Sequence, residues 1–146
     1  MANDIKTEKL LIKDVFERWF CVPEYQRPYV WGKEEVADLL DDISDALSSR
    51  PSSEYFLGSI VFQTKLVKSN NGPDFEEHDL LDGQQRLTTC LLLHAVGRDL
   101  ATHPQLKESC HKAVFQQENE FDGIPERIRI VYDIRPEVLA FIQKYL

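Results

Sequence analysis

The chain has 146 residues, room for one domain with a substantial core and too little for two large ones. Hydrophobic residues make up 42% and charged residues 29%, ordinary for a soluble globular protein; Cys21, Cys90 and Cys110 give neither a disulfide framework nor a metal-ligand pair, which points to a reducing cytoplasm. The formal net charge of −8, from 17 basic against 25 acidic residues, argues against a domain that coats DNA, so any nucleic-acid contact must be local or lie on chain outside this sequence.

Met1 to Lys9 is polar and mixed in charge, without a signal-peptide pattern. Thr7 to Phe16 is expected as a short helix with Leu10, Leu11, Val15 and Phe16 inward. Arg18 to Val22, rich in aromatic and β-branched residues, predicts a strand that Pro23 ends. Pro23 to Trp31 (Pro-Glu-Tyr-Gln-Arg-Pro-Tyr-Val-Trp) is dense in groups able to hold a nucleotide or a base. Pro28 biases Arg27 toward an extended conformation. An extended chain projects Tyr25, Arg27, Tyr29 and Trp31 to one side and Gln26, Pro28 and Val30 to the other. Arginine interleaved with aromatic rings can stack on a base and pair with a phosphate. The plainer alternative is that Tyr29 and Trp31 cover the following helix. Gln26 and Arg27, polar groups between prolines, do little for a core.

After Gly32, Lys33 to Leu47 predicts an amphipathic helix with Val36, Leu39, Leu40, Ile43 and Leu47 on its apolar stripe. Asp38, Asp41, Asp42 and Asp45 form a solvated acidic face rather than a metal site. Ser48 to Ser53 is a polar loop. Tyr55 to Phe62, extending toward Val67, is the best strand, and Gly58 within it marks close approach by backbone or ligand. Lys68 to His78 reads as a loop leading into a strand end, Asp79-Leu80-Leu81. The apolar run from Leu87 to Val96 predicts a buried helix reaching about Leu100; it is about half of the roughly 20 residues a membrane span requires, so no membrane contact is expected. Residues 105–117 look weakly helical, Glu118 to Pro125 is a loop, Arg127 to Tyr132 a strand and Pro136 to Leu146 a final helix. That helix meets the chain end without a cap, as expected for part of a longer protein. The division expected is a core domain over 1–103 and a helical extension over 104–146.

The junction Asp82-Gly83-Gln84-Gln85-Arg86-Leu87-Thr88-Thr89 is the most informative stretch. Asp82 falls at the N-cap position, Gly83 permits a tight turn, and Arg86 lies in the first helical turn. The N–H groups there already carry partial positive charge, so a cation costs a few tenths to about 1 kcal/mol unless an anion shares the space. Strand, glycine turn, helix start and arginine describe a phosphate cradle. A capping box between Asp82 and Gln85 is the competing account of those two residues, but it leaves Arg86 and Gln84 without a role. Elsewhere, His78, His94, His103 and His111 show neither metal nor nuclease spacing, and His94 reads as a satisfied interior histidine. Ser59 lacks a nucleophile elbow, and there is no Walker A loop.

Taken together, Phe20 to Trp31, Tyr55-Phe-Leu-Gly-Ser-Ile-Val61 and Leu81 to Thr89 resemble, in wording and spacing, the N-terminal domain of GmrSD-type, modification-dependent restriction proteins. The resemblance covers residues 5 to 100. It implies an α+β, ParB/sulfiredoxin-like fold, a small mixed sheet packed on helices, in which a Gly-x-x-Arg turn holds phosphate; Gly83 to Arg86 fits that turn. Family members bind and hydrolyse nucleoside triphosphates through the Asp-Gly-Gln-Gln-Arg segment. Some sense modified DNA through the Tyr-Gln-Arg region, and their cleavage comes from a C-terminal HNH-type nuclease domain whose pattern this sequence lacks, so no nuclease activity is expected from these residues.

The resemblance thus implies an NTPase-type regulatory domain of a phage-defence protein, with DNA contacted through the full-length protein and a homodimer as a possible assembly. Asp82, Gln84, Gln85 and Arg86 would be catalytic. Tyr25, Gln26, Arg27, Gly83, Arg86 and Thr88 would bind the nucleotide. Asp82 would hold a Mg²⁺ ion that bridges the phosphates, and Gln84 or Gln85 would orient a water. The alternatives are a non-catalytic sensor of modified DNA or of the DNA backbone, without nucleotide turnover, and a scaffold that positions the nuclease.

Overall fold

The structure, a computed structural model, describes residues 5–68 and 73–133, together with Ala140 and Lys144. A mixed sheet carries the core, ordered β2 (Val61–Val67), β3 (Phe75–Asp82), β1 (Phe20–Val22) and β6 (Ile130–Tyr132). β2 runs antiparallel to β3, while β3 and β6 both run parallel to β1. Phe20, Cys21 and Val22 are all buried, as a strand covered on both faces requires. Its register places Phe20 opposite His78 on one side and Ile130 on the other.

The helices are α1 (Ile12–Val15), α2 (Lys33–Ser49), α3 (Gln84–Leu100) and α4 (Pro104–Val114). Leu87, Leu91 and Ala95 of α3 meet Phe16, Phe20, Val22, Leu80, Val114 and Ile130 in one apolar cluster. Fully burying side chains of this size contributes about 1.5–3 kcal/mol each. A second, two-stranded sheet pairs β4 (Phe115–Gln116) with β5 (Arg127–Ile128). No helix among the described residues is long and apolar enough to cross a membrane. The α+β class expected from the sequence is the one observed: a small mixed sheet with several helices.

Several local expectations are corrected. The first helix is confined to Ile12–Val15, preceded by Leu11, which supplies no side-chain cap; uncapped helices this short are marginal. Tyr55 to Ile60 is not strand: β2 starts at Val61, because Gly58 takes φ +125° and turns the chain away. β3 begins at Phe75, inside the expected loop. Its charged residues are tolerated because Lys65 on β2 pairs with both Glu77 and Asp79, at 3.1 and 2.8 Å. Of the apolar stripe on α2 only Leu39 is buried, and Leu40 and Leu47 are exposed.

The single strand expected over Arg127 to Tyr132 is split between two sheets at Arg129. That residue's buried guanidinium donates to the Lys112 and Glu17 carbonyls. His94 is satisfied as expected, its Nδ1 bonded to the Cys90 carbonyl of its own helix at 2.7 Å. The expected helix Pro136 to Leu146 lies outside the described residues except for Ala140 and Lys144, both helical.

Candidate functional site

β3 delivers the chain to Asp82, and Gly83 then turns it in a left-handed conformation (φ 89°, ψ 9°) directly into α3. The N-cap position therefore belongs to Gly83, not to Asp82 as the sequence suggested, and no side chain caps the helix. The left-handed turn is the reason: it is natural for glycine and costly for an aspartate. Nor does the capping box form. The Gln85 side chain reaches across to another segment, its Oε1 accepting from the Val30 N–H at 2.9 Å and its Nε2 donating to the Pro28 carbonyl at 3.0 Å. A Cβ at Gly83 would stand 2.7 Å from both the Ser59 carbonyl oxygen and Ile60 Cγ2, so the turn is seated against the chain that leads into β2.

The segment before α2 is strapped to the same helix start. Gln84 Nε2 donates to the Arg27 carbonyl at 2.7 Å, and Gln26 Nε2 donates to the Leu81 carbonyl at 3.2 Å. The Tyr29 hydroxyl pairs with Thr89 Oγ1 at 2.9 Å, which ties this aromatic to α3. The expected two-sided extended strand is not formed throughout. Gln26 N–H bonds back to the Pro23 carbonyl at 3.1 Å, making a turn at Glu24 to Gln26 that leaves the Tyr25 ring 72% exposed.

Between these segments lies a cleft of about 390 Å³. Arg27, Phe56, Gly58 and Ser59 line it together with Asp82, Gly83, Gln84, Gln85 and Arg86. Arg86 reaches over Gly58 and donates from Nη1 to the Leu57 carbonyl. A Cβ on Gly58 would lie 2.1 Å from that nitrogen, so the absent side chain is what lets the guanidinium into the cleft. Among the described residues neither Arg27 nor Arg86 forms an ion pair with a carboxylate. Among the described residues Asp82 is the one acidic residue that lines the cleft. Two arginines and an uncapped helix start bring positive charge to the cleft, an arrangement able to receive an anion.

The structure thus brings together Arg27, Asp82, Gly83, Gln84, Gln85 and Arg86, gathered from two segments more than fifty residues apart. Gln26 stands behind them on the Leu81 carbonyl. Thr88 does not line the cleft: it is buried, and its hydroxyl pairs with that of Tyr132, whose ionisation burial pushes up. Trp31 is half-buried. Sequence reasoning missed Phe56, Leu57 and Ser59 as site residues, although Gly58 beside them had signalled a close approach.

A second group of potential ligand atoms, Cys21 Sγ with carboxylate oxygens of Glu77 and Asp79, falls within 4.8 Å. The protein's own cations already occupy it: Lys65 bridges both carboxylates and Arg127 pairs with Glu77. Burial first, then its S–H donation to Asp133 Oδ2 at 3.1 Å, pushes the Cys21 thiol up to about 12. A protonated thiol beside internal ion pairs is a structural arrangement, not a metal centre.

Residues 8–146 match the family described as GmrSD restriction endonuclease, N-terminal domain, and the chain belongs to that family. The match runs past residue 100, where the sequence motifs alone had stopped being informative. No curated protein matches the chain.

Proposed function

Because the chain belongs to the GmrSD restriction endonuclease N-terminal family, we propose that it serves a DNA-defence protein as a nucleoside-triphosphate-binding and hydrolysing regulatory domain. The observation that carries this reading is Arg86: a guanidinium without a carboxylate partner among the described residues, held by a backbone carbonyl at the mouth of an open cleft. Phosphate oxygens take the N–H groups that open α3, and Arg86 and Arg27 neutralise their charge, more strongly as charge develops in phosphoryl transfer. Asp82 would be the residue to hold a Mg²⁺ ion, which would supply charge neutralisation there. Gln84 and Gln85 fix the 27–30 backbone against the helix start; both ends of the Gln85 amide are committed there, whereas Gln84 spends only its Nε2 and keeps its amide oxygen to accept from an attacking water.

The test is calorimetric titration of the purified chain with ATP and GTP, with and without Mg²⁺, and turnover assays beside Arg86→Ala. Wild-type binding and a drop in turnover of roughly 10²- to 10³-fold in the variant are expected. Turnover that survives the substitution removes Arg86 from the mechanism, and a wild-type chain that binds no triphosphate removes the reading. One observation favours a second reading, a sensor of modified DNA without turnover: the exposed Tyr25 ring on the segment strapped to the cleft. That reading requires affinity for modified DNA in the absence of nucleotide, which the same titration with DNA decides.

A further inference from the structure

Phe56 lines the cleft yet leaves 80% of its surface to solvent, so its ring is open to a ligand. It is presented rather than loose. On one side Tyr55 donates its hydroxyl to Asp42 at 3.4 Å, and on the other the Leu57 carbonyl receives Arg86. A phosphate site has no use for such a ring. It offers no hydrogen bond and no charge, only a flat π-face and apolar area. The cleft, at about 390 Å³, lies within the roughly 300–1,000 Å³ of small-molecule sites and exceeds what phosphate alone fills.

We infer that Phe56 is the stacking platform for a nucleobase whose attached phosphates sit on Gly83 and Arg86, so that the cleft takes a nucleoside phosphate rather than a bare polyphosphate. This rests on the anion-site reading and adds the aromatic half of the ligand to it. Arg27 and Arg86 supply the charge for one end and the Phe56 ring the surface for the other, all lining a single cleft. Stacking on one aromatic face is tolerant of base identity, because every base has a π-face. No base-specific hydrogen bond is required, so discrimination among bases at Phe56 is weak. A free nucleotide and a nucleotide within DNA present the same chemistry to this ring.

The test titrates ATP, GTP, sodium tripolyphosphate and a short single-stranded oligodeoxynucleotide into the intact chain and into Phe56→Ala, Phe56→Leu and Phe56→Tyr. The residue's exposure makes all three compatible with folding. Removing the ring is expected to weaken nucleoside triphosphates by roughly 5- to 100-fold and to leave tripolyphosphate within about twofold, while Phe56→Tyr stays near wild type and Phe56→Leu falls with Phe56→Ala. Oligonucleotide binding that depends on Phe56 where free nucleotides do not bind assigns the platform to a nucleotide in DNA and supports the same stacking role. Nucleoside triphosphate affinity that is unchanged in Phe56→Ala overturns the inference. So does a loss shared equally by tripolyphosphate, or a Phe56→Leu variant that binds as the wild type does. Tripolyphosphate binding in the wild type keeps the anion site standing in those cases; its absence together with that of every nucleotide brings down both.

Discussion

Replacing Gly58 by alanine puts a methyl group 2.1 Å from Arg86 Nη1, where ordinary non-bonded contact is about 3.5–4.0 Å. Two separate costs follow. The backbone at φ +125° is one that side-chain-bearing residues rarely adopt, and holding alanine there costs about 1–3 kcal/mol. Against a total stability of about 5–15 kcal/mol for a domain, the protein stays folded. The steric clash falls on the tip of a flexible side chain, which yields at little cost to stability but moves its charge by more than an ångström and breaks its bond to the Leu57 carbonyl. Gly83→Ala has the opposite balance. Its methyl meets the Ser59 carbonyl oxygen at 2.7 Å and Ile60 Cα at 3.0 Å, backbone that cannot step aside.

Gly58→Ala is therefore expected to cost about 1–3 kcal/mol in urea unfolding and to lose triphosphate affinity nearly as far as Arg86→Ala does. Gly83→Ala is expected to cost more stability than Gly58→Ala. In the Arg86→Ala background the Gly58 methyl meets no guanidinium, so the two affinity losses do not add. Circular dichroism against urea and calorimetric titration read the two quantities independently. A Gly58→Ala protein that is destabilised but binds as the wild type shows that the placement of Arg86 is irrelevant. Additive affinity losses in the double variant refute the contact.

Gln85→Ala removes both bonds to the 28–30 backbone, each worth about 0.5–1.5 kcal/mol, and should speed amide exchange at Val30 while leaving the Phe20 amide on the central strand unchanged; equal protection at Val30 would show that the strap is not held by this side chain. All three cysteines are buried, and burial raises the Cys21 and Cys90 thiols above their ordinary range. Labelling with a thiol reagent at pH 8 should accordingly be slow and track unfolding by urea, and rapid stoichiometric labelling of native protein contradicts the packing around β1 and α3. Burial first, then the charge of Arg18, holds the His78 pKa below its ordinary 6.5. The folded chain thus keeps the ring neutral where the unfolded chain binds a proton, so the stability it contributes is present above pH 6.5 and lost as pH falls below it. Urea midpoints from pH 7.5 to 5.5 should fall more steeply for wild type than for His78→Gln, and parallel slopes would refute the assignment.

How much of this was legible depends on how local each determinant is. α2 and α3 were readable because periodicity and flanking glycines act within a few residues: Gly32 N–H is bound by the Glu35 carboxylate at 2.8 Å, and Gly83 makes the turn into α3. The start of β3 was not readable. Glu76 and Glu77 look like loop until Lys65 and Arg127 are known to face Glu77. Gly58 announced a close approach, but not that the approaching group would be Arg86, twenty-eight residues on in the sequence. Gln84 and Gln85 suggested water-handling or capping because their partners, the backbone of Arg27, Pro28 and Val30, lie at a distance no local pattern encodes.

The proposed anion site is compatible with an acidic chain, because screening confines each charge to its neighbourhood. At physiological ionic strength the Debye length is about 8 Å, so the acidic residues of α2 act on what touches α2. A ligand whose phosphates fit within the cleft meets two arginines, the start of α3 and one carboxylate. A duplex lying across the domain carries one negative charge per roughly 1.7 Å of its axis and extends well beyond any cleft of this size. It would meet the rest of a chain in which acidic residues outnumber basic ones by 25 to 17. The charge distribution thus favours a small phosphorylated ligand at Arg86 over a duplex, and raising salt should weaken that ligand's binding only modestly, since few phosphates are neutralised there.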